Sequence, residues 1–422
     1  MWGEMMGILI LILINLFCPF IAIIIVLGFV FSSRRGVLKT LFTELNERFV
    51  IKKQPFNGPC IWLHGASVGE IKSIENIALA LKQRYNMPIL VTTLTKAGQK
   101  AAQKIKAFDY AILAPVDFYL CIRRFLKFYQ PKMLIIVEAD LWPNMIYASQ
   151  RSGVKVGVIN GRLSKKSAKR YKIFKPLVNL LLPNISFICA QSDEIAQRYI
   201  SLGAKKENVF TCGNIKYDTL KETPNRLEEV QEIINKLSWQ NAQIVVCGST
   251  HALEEKIILS SANALKDVKF IIAPRHLERV KQIKDILNKS NFKYTLLSDF
   301  KPHQDTQILI ADTMGLLGAL YKVGTIAFVG GSIIKKGGHN FLEPAVLKKP
   351  VLFGKYYYNT PGVAARLLKS GGGILVNKAN FNKELSKYLS DEVLLNKAAQ
   401  AALDTALSFK GATAKSLEVI NL

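Results

Sequence analysis

Ile61–Glu70, IWLHGASVGE, runs on into IKSIENIALALKQR, and the reading of this stretch decides the fold. The apolar run Ile61–Leu63 ends in the small residues Gly65, Ala66, Ser67 and Gly69. Ile71, Ile74, Ile77, Ala78 and Leu81 then recur at helical spacing. The pattern is that of a strand, a tight turn and a helix N-terminus. Gly65 and Gly69 leave room for another molecule to approach the backbone. Glu70 falls at the opening of the helix. It is either a general base or an acid that only favours the helix dipole.

Working outward, the same rhythm repeats. Strand-like runs at Cys60–His64, Ile89–Thr93, Tyr110–Ala114, Met133–Glu138, Lys155–Asn160 and Ser186–Gln191 alternate with helical segments such as Lys96–Lys106 and Phe118–Tyr129. Asp218–Trp239 is polar and poorly periodic, and is taken as linker plus helix. A second series follows at Ile244–Gly248, Lys269–Ala273, Gln307–Ala311, Ile326–Val329, Pro350–Phe353 and Gly373–Val376. Strands without apolar/polar alternation are buried on both faces. The expectation is two doubly wound parallel α/β domains in tandem. Such sheets bind ligands at the carboxyl ends of their strands, and the expected active site is the cleft between the domains.

Gly7–Phe31 is almost wholly apolar and uncharged, and is long enough to span a bilayer as a helix. Arg34, Arg35 and Lys39 follow it, so the rest of the chain is expected on the cytoplasmic side of the membrane. Val37–Lys53 reads as an amphipathic or ordinary packing helix. The formal net charge of +26 over 422 residues calls for an anionic partner, either nucleic acid, a membrane surface or a phosphorylated substrate. The six cysteines, at 18, 60, 121, 189, 212 and 247, form no CxxC motif. They are expected to be buried thiols, with no disulfide framework or zinc site.

Several turns carry chemistry. VEADLWPN, Val137–Asn144, places Glu138 and Asp140 at a strand end, as an acidic pair or as caps of the next helix. Asn160–Lys175 is dense in cations, with Arg162, Lys165, Lys166, Lys169, Arg170, Lys172 and Lys175. It is a solvated face or a surface for lipid phosphates. GNIKYD, Gly213–Asp218, brings in Lys216. In the second series, Cys247–Thr250, Ala273–His276 and Ala311–Gly318 are strand-to-helix turns, and Arg275 suits bidentate phosphate binding. FVGGS and KKGGHNFLEPA carry Gly330, Gly331, Gly337 and Gly338 ahead of a helix opening near Asn340. Backbone N–H groups there suit a phosphate, and Glu343 a ribose diol.

HGASVGE, EADLWPN, NGRLS, GNIKYD, APRH, DTMGLLG and GGHNFLEPA, in this order behind an apolar N-terminal segment, resemble the Kdo transferases, which attach 3-deoxy-D-manno-octulosonic acid (Kdo) to lipid A precursors. The resemblance spans nearly the whole chain. It implies the GT-B fold, with an acceptor-binding Rossmann-like domain at 37–218 and a CMP-Kdo-binding one at 240–404. It further implies that residues 405–422 form a helix crossing back to the first domain. By resemblance Glu70 is the catalytic base, and Glu138 and Lys216 stabilise the transition state. Pro274, Arg275, His276, Met314, Gly315, Leu316, Asn340, Phe341, Leu342 and Glu343 match CMP-binding segments. The chain departs from the family pattern at EADLWPN, where ETELWPN is expected, and at Leu316, where an acid is expected.

The implied reaction is an inverting transfer of Kdo from CMP-Kdo to a lipid A precursor at the inner membrane. No cofactor or metal and no nucleic-acid partner are expected. Two other readings compete. One is a transferase of the same fold that uses another nucleotide sugar. The other is a membrane-tethered, non-catalytic binder of anionic lipid or nucleic acid. That last reading accounts for the charge but not for Glu70 and Glu343 in small-residue turns at strand ends.

Overall fold

The computed structural model describes residues 2–30, 44–45, 47–51, 58–138, 141–290, 292–303 and 305–422, with side chains of the first helix described for residues 3–17. The chain forms two compact units, Met1–Thr219 with Lys410–Leu422, and Leu220–Phe409.

The first unit is built on a seven-stranded sheet. Its strands are β1 (Cys60–His64), β2 (Ile89–Thr93), β3 (Tyr110–Leu113), β4 (Pro131–Val137), β5 (Lys155–Gly161), β6 (Phe187–Ala190) and β7 (Val209–Thr211). All pairs are parallel, in the order 3-2-1-4-5-6-7. The continuous apolar runs resolve into two covered faces. Ile61, Leu63, Ile89, Val91, Met133 and Ile135 pack under Ile71, Ile74, Ile77 and Leu81. Cys60, Trp62, Leu90, Leu134 and Ile136 pack on Ile122, Phe125, Ile146 and Leu180. Trp62 is fully buried and donates to Thr92 Oγ1 at 2.8 Å. Strand β7, absent from the sequence expectation, is a three-residue edge strand that stays partly exposed, so it carries no apolar run.

Between β1 and β4 the strand order reverses, with Leu63 beside Ile135 and His64 beside Ile136. The chain leaves β1 toward one edge of the sheet and β4 toward the other, so the loops after them diverge and leave a crevice at their carboxyl ends. The helix expected after Glu70 is two helices, Val68–Ser73 and Glu75–Tyr85. It breaks at Ile74, whose φ −98°, ψ 5° is outside the helical region.

The helix Trp2–Val30 begins the unit, and its first half packs on the helix Lys175–Leu181. A Cβ at Gly7 would lie 2.5 Å from the Pro176 carbonyl oxygen, so glycine is what allows this approach. Leu11 is buried. Asn15 donates to Asn144 Oδ1 at 2.7 Å and accepts from the Tyr119 N–H at 2.9 Å. Met5, Leu9, Ile12, Leu16 and Phe17 remain exposed on the other side. The expected span 7–31 thus lies partly outside the described side chains. Among the described residues, no helix is long and apolar enough to cross a membrane. The expected helix Val37–Lys53 lies mostly outside the described residues.

The chain end completes the same unit. Asp218 accepts from the N–H groups of Gly411 at 2.7 Å and Thr413 at 2.6 Å, at the start of the helix Ala412–Val419. Ile420 is fully buried, and its carbonyl accepts from Arg84 and Tyr85.

The second unit repeats the plan with β8 (Ile244–Thr250), β9 (Lys269–Pro274), β10 (Tyr294–Leu296), β11 (Ile308–Ile310), β12 (Ile326–Val329), β13 (Val351–Phe353) and β14 (Gly373–Leu375). The order is 10-11-9-8-12-13-14, again parallel throughout, and it reverses between β8 and β12. Strand β10 is a second short edge strand not expected from the sequence. The Asp218–Trp239 stretch contains the helix Leu227–Lys236, docked through Val230 and Ile234.

Candidate active site

At the crevice of the first sheet, Ser67 caps the helix Val68–Ser73, and Glu70 stands three residues on. Ser67 Oγ accepts from the Glu70 N–H at 3.3 Å and donates to Glu70 Oε1 at 2.7 Å, while the Ala66 N–H donates to Oε2 at 2.8 Å. The S-x-x-E spacing is that of a capping box, but the carboxylate accepts from the Ala66 N–H, one residue before the cap. Two of the carboxylate's lone-pair positions are taken, which holds its direction and leaves capacity to accept a proton. Gly65 opens no ligand space, because a Cβ there would lie 2.9 Å from Ile71 Cδ1. A Cβ at Gly69 would have, among the described residues, only Ser67 Oγ within 4 Å, at 3.9 Å.

Burial raises the Glu70 pKa. The Ser67 and Ala66 hydrogen bonds oppose this, Glu138 adds to it and Lys216 counters it. The helix opening therefore does not leave Glu70 an ordinary surface acid. The group is a stronger base than a free carboxylate, and Glu138 and Lys216 both act on it through space.

Glu138 follows β4 with φ +70°, a left-handed conformation uncommon for a residue with a side chain. Its backbone is stitched to β5, with its N–H donating to Ile159 O at 2.9 Å and its carbonyl accepting from Arg162 N at 3.3 Å. Its carboxylate is salt-bridged to Lys216. Asn160, fully buried and with φ +53°, ties this pair together. Its side-chain Nδ2 donates to Glu138 Oε1 at 3.4 Å, and its side-chain Oδ1 accepts from the Ile215 N–H at 3.2 Å. In the sequence Asn160 carries no signal of its own beside the cations that follow it. Only the fold sets it between strand end and Lys216.

Asp140 lies outside the described residues. The cap of the helix Pro143–Arg151 is Asp117, which accepts from the N–H groups of Asn144 and Met145 at 3.2 and 2.7 Å. Burial pushes the Asp117 pKa up to about 6. His64, under the Glu70 turn, is buried, and burial brings its pKa down to about 4.

In the second unit the expected donor residues separate into two groups. Arg275, His276, Met314 and Asn340 are exposed, and Glu343 is half-buried. Pro274, Leu316, Phe341 and Leu342 are buried, so their side chains are framework. Phe341 stacks on Phe353 at 4.4 Å. Leu316 at 2% exposure cannot supply the polar contact an acid would. Burial raises the Glu343 pKa. A Cβ at Gly318 would stand 3.9 Å from Glu343 Oε1, so the 311–318 turn and Glu343 share one space. In that turn, Thr313 Oγ1 is buried without a partner among the described residues, and Arg226 donates to Met314 O at 3.3 Å.

The glycine loop after β12 departs from expectation. The N–H groups of Gly331, Ser332 and Ile333 do not await a phosphate, because they donate to buried Glu254 at 2.8, 3.1 and 3.0 Å. The helix near Asn340 has only four residues, Leu342–Ala345, too short for an appreciable dipole. The N–H groups of Gly331, Ser332 and Ile333 are thus spent on Glu254. Among the described residues, no group of three or more His, Cys, Asp or Glu could hold a metal ion.

A family model for 3-deoxy-D-manno-octulosonic-acid transferase (kdotransferase) matches residues 43–219. The 3-deoxy-D-manno-octulosonic acid transferase of Haemophilus influenzae is 34% identical over 371 residues, 85% of this chain and 86% of that one. That of Rickettsia felis is 34% identical over 340 residues, 78% of this chain and 71% of that one. The crystal structure of UDP-GlcNAc 2-epimerase from Neisseria meningitidis bound to UDP-GlcNAc superposes with a TM-score of 0.60. The match covers 86% of this chain and 99% of that one at 14% identity, a likeness of fold alone. With two Rossmann-like units and this degree of identity, the chain belongs to the 3-deoxy-D-manno-octulosonic acid transferase family and is a glycosyltransferase.

Proposed function

We propose that the protein transfers Kdo from CMP-Kdo to a lipid A precursor, with inversion at the anomeric carbon. The observation that carries this reading is Glu70. It is held by Ser67 and Ala66, its basicity is raised by burial, and it lies within the influence of the Glu138–Lys216 pair at a strand-order reversal. Glu70 takes the proton from an acceptor hydroxyl. The oxygen attacks the anomeric carbon, the bond to the phosphate breaks, and CMP leaves. A base placed this way contributes about 10²–10⁴ in rate. Lys216, oriented through Asn160 and Glu138, answers the negative charge that develops. Arg275 and His276 take the donor phosphate, and Glu343 the ribose.

The acceptor is an acylated, phosphorylated disaccharide of the inner membrane's cytoplasmic face. The apolar run 7–31, followed by Arg34, Arg35 and Lys39, and the net charge of +26 support that location. Protease added to intact spheroplasts should spare both units, and digestion from outside would reverse the orientation. The reaction is tested by incubating the full chain with CMP-Kdo and a tetra-acylated lipid A precursor and weighing the products. A mass increase of one or more Kdo units is expected. An unchanged precursor, with transfer seen from another nucleotide sugar, would refute the donor assignment.

A further inference from the structure

Three imidazoles meet at the strand-order reversal of the second sheet. His251 follows β8, His276 follows β9, and His339 lies in the loop after β12. The Nε2 atoms of His251 and His339 are 2.9 Å apart, and the rings lie within 11° of parallel with centroids 5.3 Å apart. His276 stands edge-on to His251 at 5.7 Å. The contact is built into the fold. His251 is only 8% exposed. Glu254 accepts from the His251 N–H at 3.1 Å and from the Gly331 N–H at 2.8 Å, so one buried carboxylate holds both loops. Gly331, at φ +70°, makes room for the ring, since a Cβ there would be 3.0 Å from His339 Nε2.

An Nε2–Nε2 contact of this length requires one proton between the rings. The surroundings keep the pair uncharged. Burial lowers the His251 pKa, and His276, Lys336 and Arg275 add to this while Glu255 opposes it. Burial brings His339 to about 4, with His251, Arg275 and His276 contributing. Glu255 is itself engaged by Arg279 at 2.8 and 3.1 Å and by Thr250 at 3.3 Å. Cations thus crowd two neutral bases, and an incoming anion reverses that balance.

We propose that His251 and His339 are oxyanion-binding residues of the donor site, a pair that takes up one proton from solvent as a phosphate or carboxylate of the donor arrives beside Arg275 and His276. The proposal rests on reading this unit as the CMP-Kdo site. In the neutral pair each ring carries one N–H. A third proton charges the pair without breaking the Nε2–Nε2 bond, since both Nδ1 atoms can then be protonated. One positive charge appears only when an anion is present to stabilise it. The donor's phosphodiester carries one negative charge and the departing monophosphate up to two, so the charged pair matches the leaving group better than the ground state. The proton returns to solvent when CMP dissociates.

Calorimetric titration of the full chain with CMP at pH 7.5, in buffers of different ionisation enthalpy, reads the proton count directly. At that pH the ligand phosphate is already largely ionised. Net uptake is expected for the wild type. His251→Gln and His339→Gln should each abolish it and weaken CMP about tenfold, the scale of one charge-assisted hydrogen bond. Inorganic phosphate and free Kdo distinguish the two oxyanion sources by which of them brings the uptake, and cytidine should bring none. CMP binding without uptake, or with uptake unchanged in both variants, overturns the pair and leaves the donor reading standing. No CMP binding at all overturns both. Should a variant fail to fold, nitrogen chemical shifts of the wild-type imidazoles decide. Failure of the His251 and His339 signals to move toward imidazolium on adding CMP refutes the proposal.

Discussion

Glu70 does two jobs with one side chain. It completes the cap of its helix and, in the proposed reaction, serves as the base. These roles separate experimentally. Glu70→Gln keeps the size and part of the hydrogen bonding but cannot take a proton. It should bind CMP almost normally and lose transfer by at least about 10²-fold, measured at saturating donor and acceptor. Because burial raises the Glu70 pKa, wild-type transfer should fall with decreasing pH from a higher pH than an ordinary carboxylate would give, a limb missing from the residual activity of the variant. Near wild-type transfer would reduce Glu70 to a cap. His64 gives a second pH effect, on stability. Its pKa falls from an unfolded value near 6.5 to about 4 when buried neutral. The unfolded chain then binds more protons between these values, so stability drops as pH falls through that window, by about 3 kcal/mol at most for this residue. His64→Gln should flatten that part of the acid limb in urea unfolding at stepped pH, and an unchanged slope would remove His64 as its source.

At the scale of elements, two loops and one helix depend on single contacts. Glu254 satisfies four backbone N–H groups, from His251, Gly331, Ser332 and Ile333, across two loops. Glu254→Gln turns an amide N–H₂ toward some of those donors. It should cost roughly 2–4 kcal/mol and loosen the loop that carries His339. Hydrogen exchange at 331–333 would rise in the variant, and unchanged protection would mean the loop is held elsewhere. The N-terminal helix rests on the backbone of the helix Lys175–Leu181 at Gly7. Gly7→Val collides with a carbonyl oxygen that cannot turn away, so this half of the helix should detach at a cost of about 1–3 kcal/mol. Limited proteolysis should then cut within the first turns sooner than in wild type. Equal resistance would show that the docking does not rest on this contact.

At the scale of the molecule, chain order and structural units do not coincide. The last residues, Lys410–Leu422, belong to the first unit, held by Asp218, Arg84 and Tyr85 and by burial of Ala412 and Ile420. Truncation after Phe409 should weaken the first unit by about 3 kcal/mol or more, the sum of a buried aliphatic side chain and charge-assisted bonds to Asp218. It should leave the second unit's unfolding unchanged. Two separated urea transitions, with only one shifted, are the expected trace, and no shift in either would contradict the assignment.

The continuous apolar runs already determine a pair of parallel sheets, because strands buried on both faces need no polar alternation. The strand-turn-helix pattern of 61–81 and the acids at strand ends put Glu70 and Glu138 in the residue sequence where a crevice would lie. Residues that form no run could not be read this way. Strands β7 and β10 are short edges that bury little, and the break at Ile74 interrupts a helical period that remains apolar throughout. Long-range pairing lay beyond sequence alone. The glycine loop looked like a phosphate cradle until the fold brought Glu254, 77 residues earlier, against Gly331. Asn160 joins Glu138 to the Lys216 turn across intervals of 22 and 55 residues, and His251 meets His339 across 88. No local pattern specifies such contacts. They arise because parallel pairing sets remote strand ends side by side, β4 beside β5 in the first sheet and β8 beside β12 in the second.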